Sequence, residues 1–298
     1  MKKLFLLPAI ALIAVLAISL VSADCGITNL ASCISESLFS FLLSTLNAPV
    51  QPLLDAVYSL LTQPVNIDIF SSIWSVVVYI LSLFYGILLM YVGFKFVISG
   101  YSFEKREKAK SDLTNIIIMI VLVQASFYLY SLLNQIIASV TTVILNMVSQ
   151  NFFLLTIDNV TNIGLEIVLL LPYLVSIVIT LVLLTLRYVI VSAGVILFAV
   201  GIFCYFFEPL KHYGKLILNF LTVTIAITFF YSIIFLASSM LLNISTFQNF
   251  KILVMIGAFT LINLTTIAIA LFVIVKSASK VAGPIMKVVS VVGAVAGV

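Results

Sequence analysis

A chain of 298 residues with 64% hydrophobic and only 8% charged side chains has too little polar surface to cover a water-soluble globule, where about a quarter charged is usual. Its mean hydropathy of +1.35 places it among integral membrane proteins, and a formal charge of +4 spread between segments gives no nucleic-acid footprint by itself. The apolar stretches are continuous rather than alternating, which selects helices over a barrel because lipid offers backbone polar groups no partner. The expected fold class is all-α: a polytopic helical membrane protein with about five to six transmembrane helices after an N-terminal signal sequence, and short amphipathic helices on the outer face.

Lys2 and Lys3 form a positive n-region, residues 4–20 an apolar h-region, and Val21, Ser22 and Ala23 a small-residue cleavage site. Residues 1–23 thus read as a signal peptide, or as an uncleaved signal anchor that leaves the topology unchanged. Cys25 and Cys33 follow in the exported segment, where an oxidising compartment allows a disulfide; two buried thiols are the alternative. Cys204 sits alone in an apolar helix and reads as packing.

Residues 24–70 form an extracytoplasmic segment broken at Pro49, Pro52 and Pro64, too often for a spanning helix. Leu38, Phe41, Leu42 and Leu46, then Leu53, Leu54, Val57, Leu60 and Leu61, recur at helical spacing and predict two short amphipathic helices. These would lie along the outer membrane face or against a neighbouring subunit.

The transmembrane domain is placed at 71–275. Its first span covers about residues 73–98, with Trp74 and Tyr79 toward the outer interface and Lys95 snorkelling at the inner one. The stretch 104–112 then holds seven of the chain's 24 charged residues and reads as a water-exposed loop. Four of them, Lys105, Arg106, Lys108 and Lys110, are basic and hold it in the cytoplasm. A second span starts near Asn115 and continues to about Met147, carrying Gln124, Asn134 and Gln135 as candidates for hydrogen bonds across helices. Lining a path is their alternative role.

Residues 163–207 are long enough for two spans, but two would place Lys211, His212, Lys215 and the tail lysines outside. A single net crossing keeps ten Lys and Arg inside and leaves Lys251 outside. Because a helix of that length exceeds a ~30 Å core even when tilted, a break is expected at Gly194 or Gly201. The remaining spans are near residues 216–242 and 252–275. Asn159 and Asn243 begin glycosylation sequons on the outer side. A cytoplasmic tail occupies 276–298. The expected location is the cell membrane, with the mature N-terminus outside and the C-terminus cytoplasmic.

No constellation for catalysis is visible: one histidine, His212, no Cys and His set with metal spacing, no Gly-rich phosphate loop. The expectation is a protein that is not an enzyme, with no cofactor and no metal. Arg187, inside an apolar stretch, is a functional candidate by default, paired with Glu166, Glu208 or an anionic substrate. An interface anchor at a tight turn between two helices is the plainer alternative.

The signal-like N-terminus, a span, then Gly100-Tyr-Ser-Phe-Glu-Lys-Arg-Glu-Lys-Ala-Lys-Ser-Asp-Leu113 and an apolar helix resembles the basic segment of type IV secretion membrane components. Leu186-Arg187-Tyr188-Val189, an apolar helix, and Glu208-Pro-Leu-Lys-His-Tyr-Gly-Lys215 are similar to the corresponding part of the TrbL-like polytopic subunit of conjugation systems. That family often carries a proline between those two stretches, and this chain has none there. The resemblance spans residues 73–280 and implies a non-catalytic channel subunit of a DNA or protein transfer machine, archaeal DNA-exchange machines included. The implied partners are membrane lipids, a cytoplasmic ATPase, pilin-like subunits, DNA in transit and further copies in an oligomer. Lys105, Arg106, Lys108, Lys110, Lys211 and Lys215 would contact those partners or lipid head groups. A solute transporter and a pilin-like structural membrane protein are the alternatives from other classes.

Overall fold

A computed structural model describes residues 41, 44–149, 152–154, 163–248 and 250–272. Among these, every regular element is a helix. The signal sequence, Cys25, Cys33, the first amphipathic helix apart from its last turns, the Asn159 sequon and the cytoplasmic tail lie outside the described residues.

Pro49 and Pro64 bound the first helix, α1 (Val50–Thr62), and Pro52 falls in its first turn, where a missing N–H has no intrahelical partner to lose. One face of α1 buries Val50, Val57 and Leu61 in the bundle's own core. After the extended residues 64–67 and a short 3₁₀ turn, α2 (Ser71–Ile98) continues. Next, α3 (Phe103–Gln124) and α4 (Ser126–Leu145) are separated only by Ala125. The charged stretch 104–112 therefore forms the opening turns of α3 and is not a loop. Its Glu and Lys residues are good helix formers, and its i, i+4 pairs Glu104 with Lys108 and Lys108 with Asp112 favour the helix.

The longest element is α5 (Ile163–Phe206), 44 residues without interruption. No break occurs at Gly194 or Gly201. Pro172 lies inside this helix, but its ring faces outward, so the lost backbone hydrogen bond is at the surface. A helix without a turn crosses a membrane at most once, which removes the pair of spans and leaves one long element. Then α6 (Lys211–Leu241), a helical turn at Ser245–Gln248, and α7 (Lys251–Phe272) complete the described chain.

Five stretches are long and apolar enough to cross a membrane: Asp68–Tyr101, Ser126–Leu145, Val168–Phe206, Glu208–Leu241 and Lys251–Phe272. These are the coarse features of a multi-pass membrane protein. The second expected span, 115–147, is divided at Ala125, and its window of spanning quality begins only at Ser126.

Successive side-chain contacts show how the first helices pair. Tyr58 meets Asn146 (2.9 Å), Asn134 meets the Val65 carbonyl (2.9 Å), Trp74 meets Ser126 (2.9 Å), and Lys95 forms an ion pair with Asp112. Numbers rise in one partner as they fall in the other, so α1–α2 and α3–α4 form one antiparallel pair of poles. The third pole, α5, runs parallel to α1–α2. Three buried clusters stack along the bundle. The first joins Val57, Leu145, Tyr173, Phe235 and Phe259; the middle one Val65, Tyr130, Val191, Val195 and Leu221; the last Leu81, Tyr85, Met119, Ala199 and Phe203.

This stacking makes the bundle tall. At ~1.5 Å per residue α5 is about 66 Å long, roughly twice a ~30 Å hydrocarbon core, and a tilt of 40° still leaves it near 50 Å. The α2 helix packs on its C-terminal part and α7 on its N-terminal part, so the five candidate spans do not stand side by side at one level.

Two close approaches of α6 to other poles depend on glycine. A Cβ on Gly214 would strike the backbone of Cys204 and Tyr205, and one on Gly194 would strike the Tyr130 hydroxyl and Leu221. Small residues at such crossings let helices associate where apolar burial alone gives no drive.

Candidate functional site

A short stretch of α5, Arg187 to Ser192, lies at the middle of the bundle and ties three other elements to itself. Arg187 reaches α6, donating from Nε to the Thr224 carbonyl (3.0 Å) and from Nη2 to the Ile225 carbonyl (3.1 Å). The Tyr188 hydroxyl accepts the Asn66 N–H (3.0 Å), and Ser192 donates to the Asn66 carbonyl (2.7 Å). From α4, Tyr130 donates to the Val191 carbonyl (2.7 Å) and Asn134 to the Val65 carbonyl (2.9 Å).

The chemistry of this node follows from the interrupted first pole. Residues 64–67 leave the helix, so their N–H and C=O groups need partners, and in an apolar bundle each unpaired group costs several kcal/mol. Tyr188, Ser192 and Asn134 supply three of them. Asn66 and Asp68 are themselves exposed, which gives this level a polar rim.

Arg187 is only 8% exposed, and no described carboxylate pairs with it. Glu166 stands 21 positions earlier on the same unbroken helix, about 31 Å away, and Glu208 follows the helix at a similar distance. Neither acid of the same chain can therefore pair with Arg187. Nor does it anchor a turn, since it sits mid-helix. The Tyr130 and Tyr231 hydroxyls lie within electrostatic reach of the guanidinium, so its surroundings are dipoles and main-chain carbonyls. Two of its five N–H donors are spent on these carbonyls.

The other candidates distribute as follows. Asn134 bonds the Val65 carbonyl in the extended residues 64–67 and not a second helix. Gln135 is exposed and bonds Ser131 in its own helix (3.1 Å). Gln124 is exposed and lies against the Tyr85 hydroxyl without completing a hydrogen bond of normal geometry. Trp74, expected at an interface, turns its indole N–H inward to Ser126. Ser126 in turn donates to the Val123 carbonyl (2.7 Å), fixing the junction at Ala125. Lys95 is held by Asp112 at partial exposure rather than snorkelling alone. Cys204 is a buried free thiol.

The basic candidates all project to solvent at one end of the bundle. On α3, however, ~100° of rotation per residue separates them. Arg106 and Lys110 share one flank and Lys105 and Lys108 another, with Ala109 facing the bundle and Glu104 and Glu107 facing away. They form two pairs and not a single patch. Lys211 and Lys215 share a flank of α6, and Lys211 lies 5.9 Å from the centre of the Tyr205 ring.

Several polar contacts went unread in the sequence. Asn263 of α7 accepts from Thr180 (2.8 Å) and donates to the Ser176 carbonyl (3.1 Å), and Tyr231 pairs with Thr266. A lone Asn in an apolar helix was the available signal for the first; Tyr, Ser and Thr carry none by themselves. Among the described residues no three His, Cys, Asp or Glu side chains gather as metal ligands.

No family model, curated protein or solved structure matches the chain.

Proposed function

We propose that the protein is a membrane-embedded, non-catalytic subunit of a type IV secretion-like machine that transfers DNA or protein, and that it scaffolds the translocation channel. The observation that carries the scaffold role is the node at Arg187 to Ser192. Its polar side chains connect α1–α2, α4, α5 and α6 to one another, so they stabilise an arrangement of helices and do not line a path through a single chain. A path then forms between subunits. The resemblance of residues 73–280 to the TrbL-like subunit supplies the class of machine.

The basic pairs on α3 and the Lys211 and Lys215 flank of α6 would face a cytoplasmic ATPase, with pilin-like subunits and lipids around the bundle. Replacing Lys105, Arg106, Lys108 and Lys110 by Gln is expected to abolish transfer while the protein still inserts. Undiminished transfer by a correctly inserted variant removes this docking role. Single cysteines at Ser102 and Tyr213 should label from one side of the membrane only, the cytoplasmic side; opposite labelling contradicts the shared end.

A second reading draws on a separate observation. The α1–α2 pole is interrupted near the middle of the bundle, at the level of the buried Arg187, and discontinuous helices of this kind hold substrate in solute transporters. Uptake of solute into liposomes by the purified chain alone would favour that reading; liposomes that stay impermeable favour the scaffold.

A further inference from the structure

At the end of the bundle opposite the charged turns of α3, the structure holds a cavity of about 400 Å³. It lies between α1, the residues following α4, and the facing parts of α6 and α7. Its volume is that of roughly thirteen waters and within the range of about 300–1,000 Å³ that small-molecule sites occupy. Its lining is divided. Val57, Leu61, Phe153, Phe235 and Phe259 make an apolar floor, whereas Gln51, Asp55, Tyr58, Asn146 and Ser149 make a polar rim. The floor belongs to the rigid core: Phe153 packs edge-on against Phe235 at 5.1 Å between ring centres, and Phe235 likewise against Phe259 at 5.1 Å. Across the rim, Tyr58 donates to Asn146 (2.9 Å), which holds α1 at a set distance from the end of α4.

We propose that this cavity binds a single-chain amphiphile with an uncharged, hydroxyl-bearing head. The partition of the lining selects an amphiphile, because a wholly polar ligand would leave the aromatic floor wet and a wholly apolar one would cover Gln51, Asp55 and Ser149 without offering them partners. The volume admits one chain and not a two-chain phospholipid. The rim selects the head: two amides, two hydroxyls and a carboxylate can exchange hydrogen bonds with an alcohol or a sugar, while an anionic head would meet Asp55. Lys251 reaches the Leu154 carbonyl in the cavity wall, but it is not itself one of the lining residues. The site is remote from the Arg187 node and independent of the role proposed for the whole protein.

The test uses the full chain in nanodiscs of a synthetic phosphatidylcholine, with a diazirine-bearing dodecanol as probe and peptide mapping by mass spectrometry. Labelling should saturate with a single probe per chain and fall on Val57, Leu61 and Phe153. Unlabelled dodecanol should displace it, and dodecanoate should displace it at least about tenfold less well, with Asp55→Asn removing that difference. Val57→Phe, which fills the floor, should reduce cavity labelling by about tenfold or more while labelling of the exposed α2 residues Ile80 and Ile87 stays constant. Gln51→Trp, at the exposed mouth, should reduce it too and does not depend on the core tolerating a larger residue. Labelling that does not saturate, that follows exposure along α2, or that survives both variants overturns the proposal.

Discussion

Two poles run the same way along the bundle, and only one of them is broken. The α1–α2 pole leaves the helix after Pro64, whereas α5 carries Pro172, Gly194 and Gly201 and stays helical from Ile163 to Phe206. What separates them is the fate of the backbone groups that a break would release. Around Val65 and Asn66, side chains of Asn134, Tyr188 and Ser192 accept or donate the freed hydrogen bonds. At Gly194 the space left by the missing side chain is taken by Tyr130 and Leu221, and at Gly201 by Ile217 and Leu218. An apolar bundle therefore permits a break only where neighbouring helices offer polar groups to receive it. Gly194, whose neighbour Tyr130 already bonds the Val191 carbonyl, and Gly201 become crossing points instead.

The largest effect is expected at a crossing point. Gly214→Leu forces α6 away from the backbone at Cys204 and Tyr205 and should destabilise the bundle by about 3 kcal/mol or more, read as loss of monodisperse protein in detergent and a collapse of the thermal transition. Removing the receivers of the break comes next. Asn134→Ala with Ser192→Ala leaves the Val65 and Asn66 carbonyls unpaired, and together they should lower stability by about 2 kcal/mol in a denaturation series. Cysteines placed at Gln63 and Asn66 should then label faster. If they do not, the break is set by the local sequence and needs no tertiary partner.

Arg187→Leu sharpens the contrast between structure and function. Two carbonyls of α6 lose a donor that they share with their own helix, while a buried unpaired charge disappears, so stability should change by less than about 1 kcal/mol. Loss of transfer in a variant that remains folded would make Arg187 an anion-receiving residue; retained transfer would confine it to joining α5 and α6. The smallest effect is expected from Asp112→Asn. The Lys95 pair is partly exposed, so its loss should stay below about 1 kcal/mol and shrink further in high salt.

The helical class, the count of spanning stretches and the position of most helix ends were legible because they depend on continuous apolar length and on proline. Arg187 and Asn134 were legible as candidates because a charge or an amide within an apolar run is rare enough to notice. Their partners were not. The carbonyls of Thr224, Ile225 and Val65 belong to residues whose side chains give no hint, and backbone groups have no letter in the sequence. The charged stretch 104–112 illustrates the reverse error. Its composition announces water, which is correct for every residue but Ala109 and Asp112, yet water does not exclude helix, and i, i+4 charge pairs favour it.

By itself the sequence determined that this chain is helical, apolar enough for a membrane and interrupted near Pro64, since each of these follows from local chemistry. Only the tertiary structure decided that α5 is unbroken, that α2 and α7 pack along different parts of its length, and that the middle of the bundle is a polar node. Those outcomes rest on which groups meet across helices: a glycine beside a neighbour's backbone, or a carbonyl beside a guanidinium. Such meetings are set by packing between segments far apart in the chain, and no window along the sequence contains them.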